Sequence, residues 1–447
     1  MKIVQTILQR IGKLSQPQQK FILVLFSSIF ILCGKVTFTN LSRYSSLSER
    51  TYRRQFSKTL DWQQFNQYLI EQAIEKDARK VAVIDCSFIS KSGKLTYGKD
   101  YFFNGCAGKP EKGLEISVIS VVDVDAKIGY SLSVQQTPAQ KQRTPLQVES
   151  AIQETNSDSA ETATQTASKP RKSAKRKKPN NSRKRQHHPS QEHEATRIDF
   201  YIEQVKTAQP YLSKDVRYLV GDGNYSSYKF VNGVVRLDLD YVGKLRIDAD
   251  LRYLYTGVQK PRGAKRKFNG KVNLRDIARL TFVREVETNV YLYTARVWHV
   301  SLKRNIRIAY LVDCRNPGKI GYALLFSTDT QLDTYDIYCY YKARFQIEFI
   351  FRDAKQFTGL GDCQARDQKK LAFHFNASLT ALNLAKFEQS QCDNTSEPFV
   401  FSMASYKRLA LNEHLLETFI SKLDLEPTLI KSHPNYEELR LLGAITA

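Results

Sequence analysis

The sequence reads as a mixed α/β fold, and three stretches predict it. KVAVIDCSFIS, from Lys80, has the branched apolar run of a buried strand and carries Asp85 in its middle. VRYLVGDGNYSS, from Val216, is a strand that ends on a Gly-Asp-Gly turn at Asp222. Tyr341–Lys355, YKARFQIEFIFRDAK, lacks Gly and Pro and alternates bulky apolar with charged residues, which predicts one helix of about four turns.

Size and composition bound the rest. A chain of 447 residues is long enough for two or three domains, and 42% hydrophobic with 25% charged residues is a globular balance. The net charge of +23 points to a polyanionic partner, nucleic acid ahead of an anionic membrane surface. Lys169–Arg185 holds ten Lys/Arg and no acid, and removing those ten still leaves +13 for the remainder. Seven cysteines, widely spaced and without C-x-x-C, argue against a disulfide framework and a zinc site and fit a reducing cytoplasm. The apolar run Phe21–Cys33 falls short of the roughly 20 residues a membrane span requires, so a buried helix and no membrane partner are expected.

Residues 1–78 read as a helical DNA-binding domain. Gly34 stops the buried helix, Thr37–Tyr44 forms a short one, and Ser46 or Ser48 caps a third, LSERTYRRQFSKTL. On it Tyr52, Phe56 and Leu60 line one face, with Arg50, Arg54 and Lys58 opposite. That arrangement suits a phosphate backbone or a major groove, and equally a solvated amphipathic surface. Residues 79–137 are the first part of a core, an antiparallel meander in which two strands join at Asp125–Gly129, with Asp123 and Asp125 in the turn. Residues 138–195 turn to Gln, Ser, Thr, Pro, Lys and Arg, which predicts a disordered basic insert, either a solubilising spacer or a salt-sensitive DNA arm. Residues 196–250 return to core, with a helix near 196–209, a strand 216–220 and another at 240–247. From 251 to 327 the period is two, which predicts a separate β-rich insertion with basic residues Lys260, Arg262, Lys265, Arg266 and Lys267. Residues 328–390 complete the core, and 391–447 form a helical C-terminal region.

Three carboxylates stand out. At 100° per residue Tyr341, Arg344, Glu348 and Lys355 fall on one helix face, a pattern that also fits a surface ion-pair ladder. Asp85 lies within a strand, where an unpaired charge is costly, and Asp222 follows a strand, where ligands bind in open α/β sheets. Carboxylates from three separate elements are a donor set for two Mg²⁺ ions, with Mn²⁺ as a substitute. Such a pair activates the attacking oxygen and stabilises the leaving one in phosphodiester cleavage. Arg344 and Lys355 would grip phosphates there, and Tyr341 would stack or hydrogen-bond. The histidines show no ligand spacing beyond His187, His188 and His193 in the basic insert.

The spacing Tyr341-x₂-Arg344-x₃-Glu348-x₆-Lys355 resembles the Y-R-E-K signature of a large group of bacterial insertion-sequence transposases, DDE enzymes with a ribonuclease-H-like catalytic core. In that group the first Asp lies on the first core strand, similar to Asp85 in AVIDCSF, and the second follows the fourth strand, similar to Asp222 in VGDGNYSS. A β-rich insertion before the Glu, an N-terminal helical DNA-binding domain and a helical C-terminal end also fit. The stretch 138–195, lodged between the two aspartates, departs from the pattern. The resemblance implies Asp85, Asp222 and Glu348 as catalytic metal ligands. It implies Tyr341, Arg344 and Lys355 as contacts to DNA ends, and Trp298 in the insertion as a candidate for stacking on a displaced base, against core packing. It further implies double-stranded DNA partners, both terminal inverted repeats and target DNA, a homodimer on DNA, and a cytoplasmic, nucleoid-associated enzyme. A plain nuclease of the same fold and a non-catalytic DNA-binding regulator are the rival readings.

Overall fold

The computed structural model describes residues 1–12, 14–140, 195–316, 318–392 and 400–445. Residues 1–142 with 197–447 form one compact unit. The basic insert expected at 138–195, with its three histidines, lies outside the described residues from 141 to 194.

Strand β1 (Lys80–Ser90) is apolar over Val81–Ile84 because both of its faces are covered. The chain then makes β2 (Asp100–Asn104), β3 (Lys109–Asp123) and β4 (Ile128–Gln136). β1 pairs antiparallel with β3 from Lys80↔Asp123 to Ser90↔Gly113, and β2 and β4 share the other edge of β3. Asp123 Oδ1 accepts the N–H groups of Asp125 and Ala126, so the Asp-Val-Asp sequence closes the turn between β3 and β4. After a helix that packs on the sheet come β5 (Tyr218–Val220) and β6 (Asp240–Leu245), parallel to β1 and to each other. The order β4-β3-β1-β5-β6, antiparallel then parallel, is a ribonuclease-H-like core.

The β-rich stretch is not separate from that core. Its strands are β7 (Leu251–Leu254), β8 (Phe268–Lys271), β9 (Thr281–Glu287), β10 (Val290–His299), β11 (Arg304–Asp313) and β12 (Gly321–Ser327). β12 pairs antiparallel with β6 from Leu324↔Leu245 to Ser327↔Val242, so one twelve-stranded sheet runs through both regions. A period-two pattern records alternation but says nothing of which strand accepts the next ladder.

Helices flank this sheet at both ends of the chain. The first five are α1 (Lys2–Ile11), α2 (Gln16–Ile31), α3 (Phe38–Arg43), α4 (Glu49–Gln55) and α5 (Trp62–Ala73). Ser48 caps α4, which ends at Gln55, so Leu60 and Lys58 of the expected longer helix lie beyond it. The chain turns there because Asp61 caps α5, accepting the Gln64 N–H. Beyond α6 (Arg197–Ala208) and α7 (Tyr228–Val235), the predicted single helix at 341–355 is two, α8 (Thr334–Ala343) and α9 (Phe345–Phe357). At the junction the Arg344 N–H bonds to the Tyr341 carbonyl three residues back, a local tightening that breaks the ladder. Next is α10 (Gln368–Cys392), followed by α11 (Met403–Lys422), α12 (Pro427–Lys431) and α13 (Pro434–Leu441).

The N-terminal helices share a hydrophobic core with the sheet and α10. Phe373 of α10 packs on Phe56 and Trp62, with ring centroids 4.5 and 5.1 Å away, and on Phe21 at 6.3 Å. A Phe373→Ala substitution should therefore cost about 3–5 kcal/mol. The N-terminal helices should lose protection together with the sheet when the variant is followed by hydrogen exchange; their loss alone, with the sheet as protected as before, would contradict a common core.

Candidate active site

Asp85 sits halfway along β1, on the sheet face it shares with Val81, Val83 and Ile89 and with the buried side of α9. Its Oδ1 accepts the Cys86 N–H at 2.8 Å. Asp222 lies two residues past β5 and caps the short 3₁₀ turn Gly223–Tyr225, where its carboxylate accepts the Asn224 N–H and Nδ2, both at 2.9 Å. The glycine before it is required by packing, because a Cβ on Gly221 would stand 2.7 Å from the Tyr241 hydroxyl. Glu348 is in the first turn of α9, with its side chain half exposed.

Arg344 connects two of the three. Its side chain is only 9% exposed, and Nη1 donates to Asp85 Oδ2 at 3.3 Å while Nη2 donates to Glu348 Oε1 at 2.8 Å. One guanidinium thus holds two carboxylates from opposite ends of the chain within its own width. Burial pushes the Asp85 carboxyl up to about 6, and the charges of Asp222 and Glu348 add to that, against the Cys86 N–H and Arg344. The trio is therefore one electrostatic group. Among the described residues no three acidic, thiol or imidazole side chains are gathered as the ligand set of a single metal ion. The Arg344 fork is engaged by carboxylates, so in this arrangement it orders the site and does not face solvent as a phosphate clamp.

The remaining predicted residues are dispersed. Tyr341, on α8, lies 5.6 Å beneath the Arg344 guanidinium, and burial raises its phenol pKa. Lys355 is two helical turns from Glu348, about 10 Å along α9. It lines a cavity of about 460 Å³ with Lys35, Lys407 and Arg408. Arg50 and Arg54 are exposed on α4 and Lys58 in the turn after it; no hydrogen bond or ion pair ties them to the trio among the described residues. Trp298 is on β10, five strands from β1, or about 24 Å at the usual strand spacing. Its half-buried ring lies 5.8 Å from that of Phe268 and belongs to neither hydrophobic core.

Sequence reasoning missed Lys244 and Tyr322. Both line a cavity of about 390 Å³ beside Tyr341 and Phe345, and a second of about 1140 Å³ with Asn224, Arg246, Lys271 and Arg275. Basic and acidic side chains alternate in both linings, Glu287 and Asp313 in the first and Asp248 and Asp250 in the second, and the second includes Gly223 and Asn224, which follow Asp222. The signal was partly present, since DYVGKLRI puts Lys244 near the end of a strand, but its neighbour β5 is fixed only by the fold. Phe345 and Phe349, 46% and 44% exposed on α9, also flank Glu348.

A family described as DDE superfamily endonuclease matches residues 15–299, a span that holds Asp85 and Asp222 and ends before Glu348. Comparison with curated proteins gives no match.

The raised Asp85 carboxyl gives a stability signature. Because the folded pKa lies above its ordinary value of 3.8, the folded protein binds this proton more tightly than the unfolded chain does. The resulting stabilisation is complete below pH 3.8 and is lost as the pH rises through about 6. The ionised carboxylate therefore costs up to about 3 kcal/mol at neutral pH. Asp85→Asn, which keeps an acceptor for Arg344, should raise the melting temperature in EDTA by a few degrees at pH 8 and leave it unchanged at pH 4. An equal shift at both pH values would contradict this account.

Proposed function

The chain belongs to the DDE superfamily endonucleases, and from that premise we propose that it is a DNA transposase that cuts element ends and joins them to target DNA. What carries the reading is the Arg344 clasp on Asp85 and Glu348, with Asp222 in the same electrostatic group. The donor set suits hard divalent cations. It is all carboxylate, drawn from three elements, and two ions shared between pairs of carboxylates do not require three ligands around one ion. Asp85, Asp222 and Glu348 would hold two Mg²⁺, or Mn²⁺ in its place, and these supply activation of the attacking oxygen and charge stabilisation at the leaving one.

The chain's own groups would do the remaining work. Lys244, Lys271 and Arg275 offer phosphate contacts in the larger cavity, and Tyr341 and Phe345 line the smaller one beside Lys244. Arg344 keeps Asp85 and Glu348 at one spacing, and Lys355 extends positive charge along α9. The exposed Arg50, Arg54 and Lys58 suit duplex further from the cut, in the terminal inverted repeats. In the first step a water oxygen bonds to phosphorus as the P–O3′ bond breaks, which releases a 3′-OH. That hydroxyl then attacks a target phosphodiester, one bond replacing another, so no external energy source is needed. A homodimer would hold two ends together. No helix among the described residues is long and apolar enough to cross a membrane.

The test is incubation of the full chain with labelled DNA carrying the ends of its own genetic element, with Mg²⁺. Cleavage together with joined product is expected. Asp85→Ala, Asp222→Ala and Glu348→Ala should each reduce both by on the order of 10³-fold while retaining DNA binding. Cleavage without joining would make the protein a nuclease, and binding without chemistry in the parent would make it a regulator.

A further inference from the structure

The β2–β3 hairpin extends past the end of β1. β1 stops at Ser90, opposite Gly113, whereas β2 continues to pair with β3 from Asp100↔Gly113 to Asn104↔Lys109. Antiparallel partners share a face. Asp85 opposes Val118, and counting back along β3 by twos puts Ile116, Leu114, Lys112 and Pro110 on the Asp85 side. Tyr101 opposes Lys112 and Phe103 opposes Pro110, so both aromatic rings stand on that side as well. Tyr101 is 61% exposed and Phe103 60%, while Phe102 between them is fully buried on the opposite face under Arg197.

Charge follows the same course. Lys112 stands 6.0 Å from the Tyr101 ring. Lys94 is exposed in the loop before β2, whereas Lys109 falls on the opposite face, 3.7 Å from the Glu111 carboxylate. The loop before β2 is held to the chain after α9, where Tyr97 N–H donates to the Arg366 carbonyl and Lys91 to that of Cys363. Lysines on an edge strand are an ordinary defence against edge pairing. Two large exposed aromatics are the reverse of a defence, and placed among cations they fit a ligand with both phosphates and apolar faces.

We infer that the β2–β3 hairpin is a DNA-binding arm. Tyr101 and Phe103 pack on the sugar–base surface of the duplex whose phosphodiester lies at Asp85, and Lys112 contacts its backbone. From Val118 to Lys112 and Pro110 is six and eight residues, about 20 and 26 Å of strand, which corresponds to contact roughly six to eight base pairs from the reacting phosphate. The assignment rests on the proposed action on DNA and adds to it a second, remote contact.

The test uses the full chain and a fluorescein-labelled duplex of about 30 base pairs, roughly 100 Å long, read by anisotropy across a salt series. Tyr101→Ala/Phe103→Ala should weaken binding about tenfold or more without changing the log–log salt slope, since stacking releases no counterions. Lys112→Ala should lower that slope by about one. As a direct reading, the added emission of Phe103→Trp should be quenched by the duplex. These positions are exposed, and unchanged melting temperatures would confirm intact folding. If wild type binds the duplex while the variants match it in affinity and slope and no quenching occurs, the arm is refuted and the DNA reading stands. If wild type binds no duplex, both fall.

Discussion

The guanidinium of Arg344 is the constraint to which the site is tied. A nearly buried cation needs partners for its donors, and here Asp85 and Glu348 take the two terminal nitrogens while the buried Nε has none among the described residues. The converse holds too. Asp85, Asp222 and Glu348 repel one another, and the group that offsets part of that repulsion comes from the junction of α8 and α9. The tight turn at Arg344 lets the same segment send a phenol inward from α8, a guanidinium from the junction and a carboxylate from α9. An unbroken helix would present them in one row along its side.

Behind the site the sheet is secured by equally specific contacts. β4 is paired only with β3, and its outer backbone groups would be left without partners in a buried setting. Side chains of α10 supply them: Asn383 bonds to both the N–H and the carbonyl of Ser131, Asn376 to the Val134 carbonyl, and Lys386 to the Gly129 carbonyl. Burial lowers the Lys386 ammonium to about 8, a cost borne because the alternative is an unsatisfied edge. The same helix faces the N-terminal aromatics on its other side, so the N-terminal helices, the core sheet and α10 are one packed body. Position of the site is therefore set by burial far from it.

Much of this was legible in the chain. The strand at Lys80–Ser90, the Asp125 turn, the strand before Asp222 and the helical ends follow from local pattern and turn chemistry, which act over a few residues. Lys58 and Leu60 were misplaced because periodicity ran on past a helix whose stop is set by the Asp61 cap of the next. Local pattern makes the β-rich stretch look separate because its link to the core, β12 on β6, joins residues about eighty positions apart. Residue type alone places Trp298 in the β-rich stretch, and only strand order shows how far across the sheet from Asp85 it lies.

What the sequence by itself determined was the set of elements and the three carboxylates, because residue type and short-range spacing decide both. What only the tertiary structure decided was company: that Arg344 belongs to the carboxylates, that Lys244 and Tyr322 line cavities beside Asn224 and Tyr341, and that Tyr101 and Phe103 share the Asp85 face of the sheet. Those relations depend on strand order and burial between residues remote in sequence, and no local pattern encodes them.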